Sequence, residues 1–150
     1  MSVIYPEDGL FVKKHGTAPV ELVIVGDVRT GVAKMAITKG FNLLNPGNPA
    51  VATPATPATL TLGNCGLYTG DSATGLKAGS STTADSVLIW NGAGYSTYYV
   101  RMSGGVVAGW RSTTSVSDDA SVVQIPAGAA LIVKRQNDVP DFVWTRPQPF

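Results

Sequence analysis

Glycine and proline punctuate this chain so often that almost no segment keeps a helical period. Its 17 glycines and 10 prolines in 150 residues leave room only for short elements. Between the breaks, apolar and polar residues alternate with a period of two, the pattern of strands that bury one face. Val20 to Val25 (Val-Glu-Leu-Val-Ile-Val) reads as a strand, Gly26 to Gly31 as a turn, and Val32 to Lys39 as the return strand of a hairpin. On that return strand Ala33, Met35 and Ile37 share one face, and Lys34, Ala36 and Thr38 the other. Lys39 to Leu44 begins a third strand, stopped by Asn45-Pro46-Gly47-Asn48-Pro49. Two Thr-Pro-Ala steps between residues 50 and 59 favour an extended, polyproline-like connection. Thr59 to Leu62 alternates as a short strand, and residues 63 to 85 form a long irregular segment.

The second half carries the stronger pattern. Ser86 to Trp90, Tyr95 to Met102 and Val106 to Trp110, joined by Gly-rich turns, read as a three-stranded meander. Val122 to Ile125 and Ala130 to Arg135 read as another hairpin, and Asp141 to Trp144 as a last strand. About nine to eleven short strands at this spacing specify an all-β fold, a sandwich or barrel of antiparallel strands with extended termini. The domain reading is an N-terminal arm over 1–17, a single β domain over 18–144, and an extended tail over 145–150 that holds Pro147 and Pro149.

Charged residues make up only 14% of the chain, against about 25% in an ordinary globular domain. Interface centres are depleted in charge, so this deficit fits a protein whose faces meet other subunits. It also fits a secreted β protein rich in Thr, Ser and Gly. The net charge is +1 with no basic stripe, which argues against nucleic-acid binding and against an anionic membrane surface. No run approaches the ~20 apolar residues that span a bilayer, so membrane insertion is not expected. Residues 1–8 carry no apolar core of a leader peptide, so a start at Met1 implies synthesis without export by the usual route. The lone cysteine, Cys65, sits in Asn64-Cys65-Gly66-Leu67 and reads as a small buried residue.

Catalytic constellations are missing. The single histidine, His15, lies in a Lys-Lys-His-Gly turn with no nucleophile elbow to serve. One His and one Cys do not assemble a zinc site of the usual ligand set. Asp118 and Asp119 with Ser115 and Ser117 offer oxygens for a calcium ion but lack EF-hand spacing, and a solvated turn accounts for them. Gly92-Ala93-Gly94 precedes a strand, so no helix N-terminus is there to cradle phosphate. The expectation is therefore no enzyme, no catalytic residue, no metal and no cofactor.

Large side chains supply the remaining candidates. Ile4, Tyr5, Phe11, Phe142, Trp144 and Phe150 place apolar bulk near the chain ends, where small domains usually fray. They are candidates for contacts between subunits, with docking on their own domain as the alternative. Trp90, Tyr95, Tyr99 and Trp110 concentrate in the meander. They serve as core and interface residues or, if exposed in a row, as a platform that stacks on sugar rings.

Lys-Gly-Phe-Asn-Leu-Leu at 39–44, Ala-Asp-Ser-Val-Leu-Ile-Trp at 84–90, Gly-Tyr-Ser-Thr-Tyr-Tyr at 94–99, Gly-Trp-Arg at 109–111 and Ile-Pro-Ala-Gly-Ala-Ala-Leu-Ile-Val-Lys-Arg at 125–135 together resemble a group of uncharacterised β-rich bacterial proteins, usually exported. The resemblance spans about residues 34 to 145 and implies no catalytic activity. In size, low charge and Ala/Thr/Gly bias the chain is also similar to small structural proteins of phage particles. The expected function is a non-catalytic structural protein that self-assembles or decorates a larger assembly: a virion coat, tail or decoration subunit, or a surface filament. Its expected partners are copies of itself or another structural protein, and its expected location is a virion or an extracellular surface. The alternative is a carbohydrate- or surface-binding module using Trp90, Tyr95, Tyr99 and Trp110.

Overall fold

In a computed structural model, the described residues are 13, 15–19, 21, 34–46, 60–126 and 129–146. They are all-β, with no helix. Seven strands run β1 (Lys34–Ile37), β2 (Gly40–Leu44), β3 (Ser86–Trp90), β4 (Tyr95–Ser103), β5 (Val106–Ser112), β6 (Leu131–Arg135) and β7 (Phe142–Thr145). They form two antiparallel sheets: a five-stranded sheet in the order β2-β6-β3-β4-β5, and a pair β1-β7. The meander expected over residues 86–111 is present as β3-β4-β5.

The chain passes between the sheets at one corner. β1 pairs with β7 and β2 pairs with β6, so both strands of a long antiparallel ribbon change sheet together. The Asn42 amide stabilises this corner. Its Oδ1 accepts from the Thr38 N–H at 2.9 Å, and its Nδ2 donates to the Thr38 carbonyl at 2.7 Å. Gly40 supplies the left-handed backbone (φ +88°) that the turn needs. Across the ribbon, the Lys39 N–H donates to Asp141 Oδ1 at 3.0 Å.

Register separates the faces of the larger sheet. Val87 lies between Val133 and Tyr98, and Ile89 between Leu131 and Ser96. These inner-face residues meet Met35, Ile37, Phe142 and Trp144 of the small sheet in one core. The irregular segment 60–78 contributes Leu62, Cys65, Leu67 and Leu76 to it.

Two expectations change. Val122 to Ile125 is not the hairpin partner of β6, whose two edges are taken by β2 and β3. That segment pairs instead with residues 60–62: the Leu62 N–H donates to the Val123 carbonyl and the Ile125 N–H to the Leu60 carbonyl. The expected strand at Thr59 to Leu62 is thereby reduced to a single bridge, Thr61 to Gln124. Apart from Glu21, which is exposed and outside any strand, the expected strand at Val20 to Val25, its hairpin turn and the Thr-Pro-Ala connection lie outside the described residues.

Inner-face parity also carries a charge into the core. Leu131, Val133 and Arg135 alternate inward on β6, and Asp85, one residue before β3, shares the parity of Val87 and Ile89. Both charged side chains are buried and paired, with Arg135 Nη1 to Asp85 Oδ2 at 2.5 Å. Arg135 also donates to the carbonyls of Gly75, Ser72 and Pro140. The Asp85 carboxylate accepts further from the N–H groups of Lys77 and Gln136, each at 2.7 Å. The guanidinium lies 4.7 Å from the centre of the Phe142 ring. Asp85→Ala leaves a buried guanidinium without its counter-charge, which is expected to cost about 3–5 kcal/mol. Arg135→Lys, with three donors for five, is expected to destabilise in the same direction. Urea denaturation of both variants measures the loss; wild-type midpoints would show that the pair is dispensable.

Candidate interaction surface

Because strand residues alternate, every side chain that builds the core has neighbours on the opposite face. That outer face of the five-stranded sheet is unusually apolar. Leu43, Ile132, Leu88 and Thr97 lie side by side across β2, β6, β3 and β4. Phe41 extends the row along β2 and is 71% exposed. Trp90 and Tyr95 end it at the β3–β4 turn, 47% and 39% exposed. An antiparallel sheet with one wet face normally carries polar side chains there. The charges on this face are Lys134, whose Nζ lies 5.8 Å from the centre of the Phe41 ring, and, towards β5, Arg101 and Arg111.

Local chemistry explains how the aromatic end is held. Asn91 Oδ1 accepts from the N–H groups of Ala93 and Gly94, closing the turn between β3 and β4. The turn sets Trp90 opposite Tyr95, with ring centres 5.2 Å apart and planes at 69°. The other two meander aromatics do not join them. Tyr99 and Trp110 are buried, Trp110 opposite Val100 on the inner face. The structure thus divides the four candidate ligand-face residues two and two: Trp90 and Tyr95 are exposed side by side, and Tyr99 and Trp110 are buried.

The terminal candidates divide as well. Phe142 and Trp144 are buried in the chain's own core, and the Trp144 indole N–H donates to the Cys65 carbonyl at 2.9 Å. As β7 pairs with β1, these two side chains point inward and are not available to a neighbouring subunit. Thr145 belongs to β7, and Arg146, also buried, donates to the Pro46 carbonyl. Ile4, Tyr5, Phe11 and Phe150 lie outside the described residues.

The polar candidates are used within the chain. Asp118 accepts from the hydroxyls of Ser115 and Ser117. The Ser121 N–H and hydroxyl hold the Asp119 carboxyl below its usual range, helped by Arg111. Among the described residues, no group of three or more His, Cys, Asp or Glu comes together as a metal site. His15 is exposed. Cys65 is buried, and desolvation pushes its thiol up to about 11, far from a reactive thiolate. Among the described residues no helix is long and apolar enough to cross a membrane.

Sequence reasoning left Phe41, Leu43, Leu88 and Ile132 out of the candidate surface. The available signal was parity: each is out of phase with a core residue on its own strand, as Leu88 is with Val87 and Ile89. The contrast between faces has a measurable consequence. Trp144→Ala is expected to cost about 3–5 kcal/mol, as for a buried large aromatic. Its outward neighbour Val143, replaced by Ala, is expected to cost under about 0.5 kcal/mol. Equal effects in urea denaturation would contradict the assignment of faces. No family model, no curated protein and no solved structure matches the chain.

Proposed function

We propose that this chain is a non-catalytic structural protein that assembles with copies of itself or decorates a larger assembly, as a coat, tail, decoration or surface-filament subunit does. The observation that carries this reading is the apolar outer face of the five-stranded sheet, with Phe41, Leu43, Trp90 and Tyr95 exposed together. Fully burying one such side chain is worth about 1.5–3 kcal/mol, so several converging on one partner supply a usable interface. The low share of charge, 14%, points the same way, because a surface short of charge gains little from staying wet. In this reading the seven strands belong to a sandwich of about nine to eleven, with the alternation at Val20 to Val25 supplying one more. A virion or an extracellular surface is the matching location.

A second reading, a carbohydrate-binding module, is favoured by the exposure of Trp90 and Tyr95. Rings at 69° do not make one flat platform, so only one of them at a time offers its face to a sugar. That geometry ranks the sugar reading below protein assembly.

Sedimentation velocity across a micromolar concentration series separates the two. Assembly predicts a mass that rises with concentration and changes little with salt, since the contact is apolar. A monomer at every concentration that binds a glycan array, and loses binding in Trp90→Ala, would replace assembly with the sugar reading.

A further inference from the structure

Asn91-Gly92 is the one Asn-Gly step in the chain. In such a step the glycine nitrogen can attack the side-chain carbonyl carbon of the asparagine, because the following residue has no side chain to stand in the way. The amide is then lost as ammonia, one reason that asparagine is thermolabile. In a folded protein the reaction needs an N–H that no hydrogen bond already holds, a carbonyl prepared to take up negative charge, and access to water.

The turn between β3 and β4 supplies all three. Asn91 and Gly92 are exposed. The hydrogen bonds of the turn run from the N–H groups of Ala93 and Gly94 to Asn91 Oδ1, at 3.0 and 2.9 Å, and from the Asn91 N–H to the Gly94 carbonyl, at 2.9 Å. The Gly92 N–H takes part in none of them. The two bonds to Oδ1 polarise the amide carbonyl and stay in place for the oxyanion that forms when its carbon is attacked, as paired backbone donors do in an oxyanion hole. The departing nitrogen, Nδ2, donates to Ser96 Oγ at 3.0 Å, which keeps a hydroxyl proton beside it. Gly92 has φ +97°, so the turn itself calls for glycine at the position of the least hindered nucleophile.

The other asparagines lack this combination. Asn45 and Asn48 precede proline, which has no N–H. Asn42 lies within β2. The N–H that follows Asn64 belongs to Cys65 and is bonded to the Thr61 carbonyl at 2.9 Å. Asn137 is exposed, but Asp138 after it brings a side chain and a negative charge.

We propose that Asn91 is a site of spontaneous deamidation in the folded protein. Gly92 N gives up its proton to solvent base and bonds to Asn91 Cγ. The Cγ–Nδ2 bond breaks, the nitrogen leaves as ammonia, and a succinimide ring closes. Water opens that ring at either carbonyl, giving aspartate or isoaspartate. Both products place a carboxylate between Trp90 and Tyr95, and the added negative charge takes the chain from +1 to zero. In the isoaspartate form the backbone also gains a methylene, in the turn that sets Trp90 opposite Tyr95.

Ageing the folded protein in mildly alkaline buffer made with heavy-oxygen water, beside a sample unfolded in guanidinium, tests this by peptide mass spectrometry. In the folded chain Asn91 should convert at least as fast as in the unfolded one. Its products should be a mixture of aspartate and isoaspartate that carries solvent oxygen, while Asn42, Asn64 and Asn137 keep their amides. Slower conversion of Asn91 in the folded chain would show that the turn protects the amide and would overturn the proposal. Aspartate without isoaspartate would overturn it as well, since direct hydrolysis bypasses Gly92. So would conversion of Asn137 in the folded chain at the rate of Asn91, because exposure and not the turn would then decide the site.

Discussion

The buried pair of Arg135 and Asp85 ties together parts of the chain that backbone pairing leaves separate. Each N–H of the guanidinium has an acceptor, at Asp85 or at the carbonyls of Ser72, Gly75 and Pro140. Those acceptors belong to the irregular segment before β3 and to the connection between β6 and β7. Neither segment forms a regular strand. Desolvating two charges is costly, and their attraction offsets this only when every remaining donor and acceptor is also satisfied. Here they are, and the arrangement specifies where two loops must sit. Gly75 shows how tightly the fit is drawn: a Cβ there would stand 2.9 Å from the Leu67 carbonyl oxygen and from the Thr69 nitrogen.

With those loops anchored, the two sheets share one core against the inner face of the larger sheet. Its other face is then committed by alternation, since each inward Val, Ile or Leu forces its neighbours outward. A solvated face would carry Thr, Ser, Lys and Glu at those positions. The chain places Phe41, Leu43, Leu88, Trp90, Tyr95 and Ile132 there beside Ser86, Thr97 and Lys134. In the proposed assembly, low overall charge and the apolar positions on β2, β6 and β3 are two forms of one property, a surface that a partner covers.

Much of the fold was legible because strand alternation is a local signal. β3 and the meander follow directly from Ser86 to Trp90 and from the Gly-bearing turns after it, and Met35 and Ile37 are buried as their alternation implies. Pairing partners were harder to read. Residues 122–125 and 130–135 are adjacent in sequence, yet β6 sits between β2 and β3, because sheet order depends on long-range packing that no local pattern encodes. The fate of the chain-end aromatics was hidden for a related reason. Nothing near Trp144 in sequence announces that the Cys65 carbonyl, 79 residues away, will accept its indole N–H. Arg135 illustrates the opposite case. Its inward parity on Leu131-Ile132-Val133-Lys134-Arg135 was readable, but a buried arginine is credible only once Asp85 is known to face it.

Trp90 offers the most direct test that the outer face is the surface used for assembly. It is exposed, whereas Trp110 and Trp144, the other two tryptophans, are buried. Iodide quenching of tryptophan emission, followed through the concentration range in which mass increases, isolates it. The account predicts one quenchable tryptophan in the dilute protein, its emission moving to shorter wavelength and its quenching disappearing as the assembly forms. Emission that stays equally quenchable while the mass rises would show that assembly proceeds through another surface, and would contradict the account.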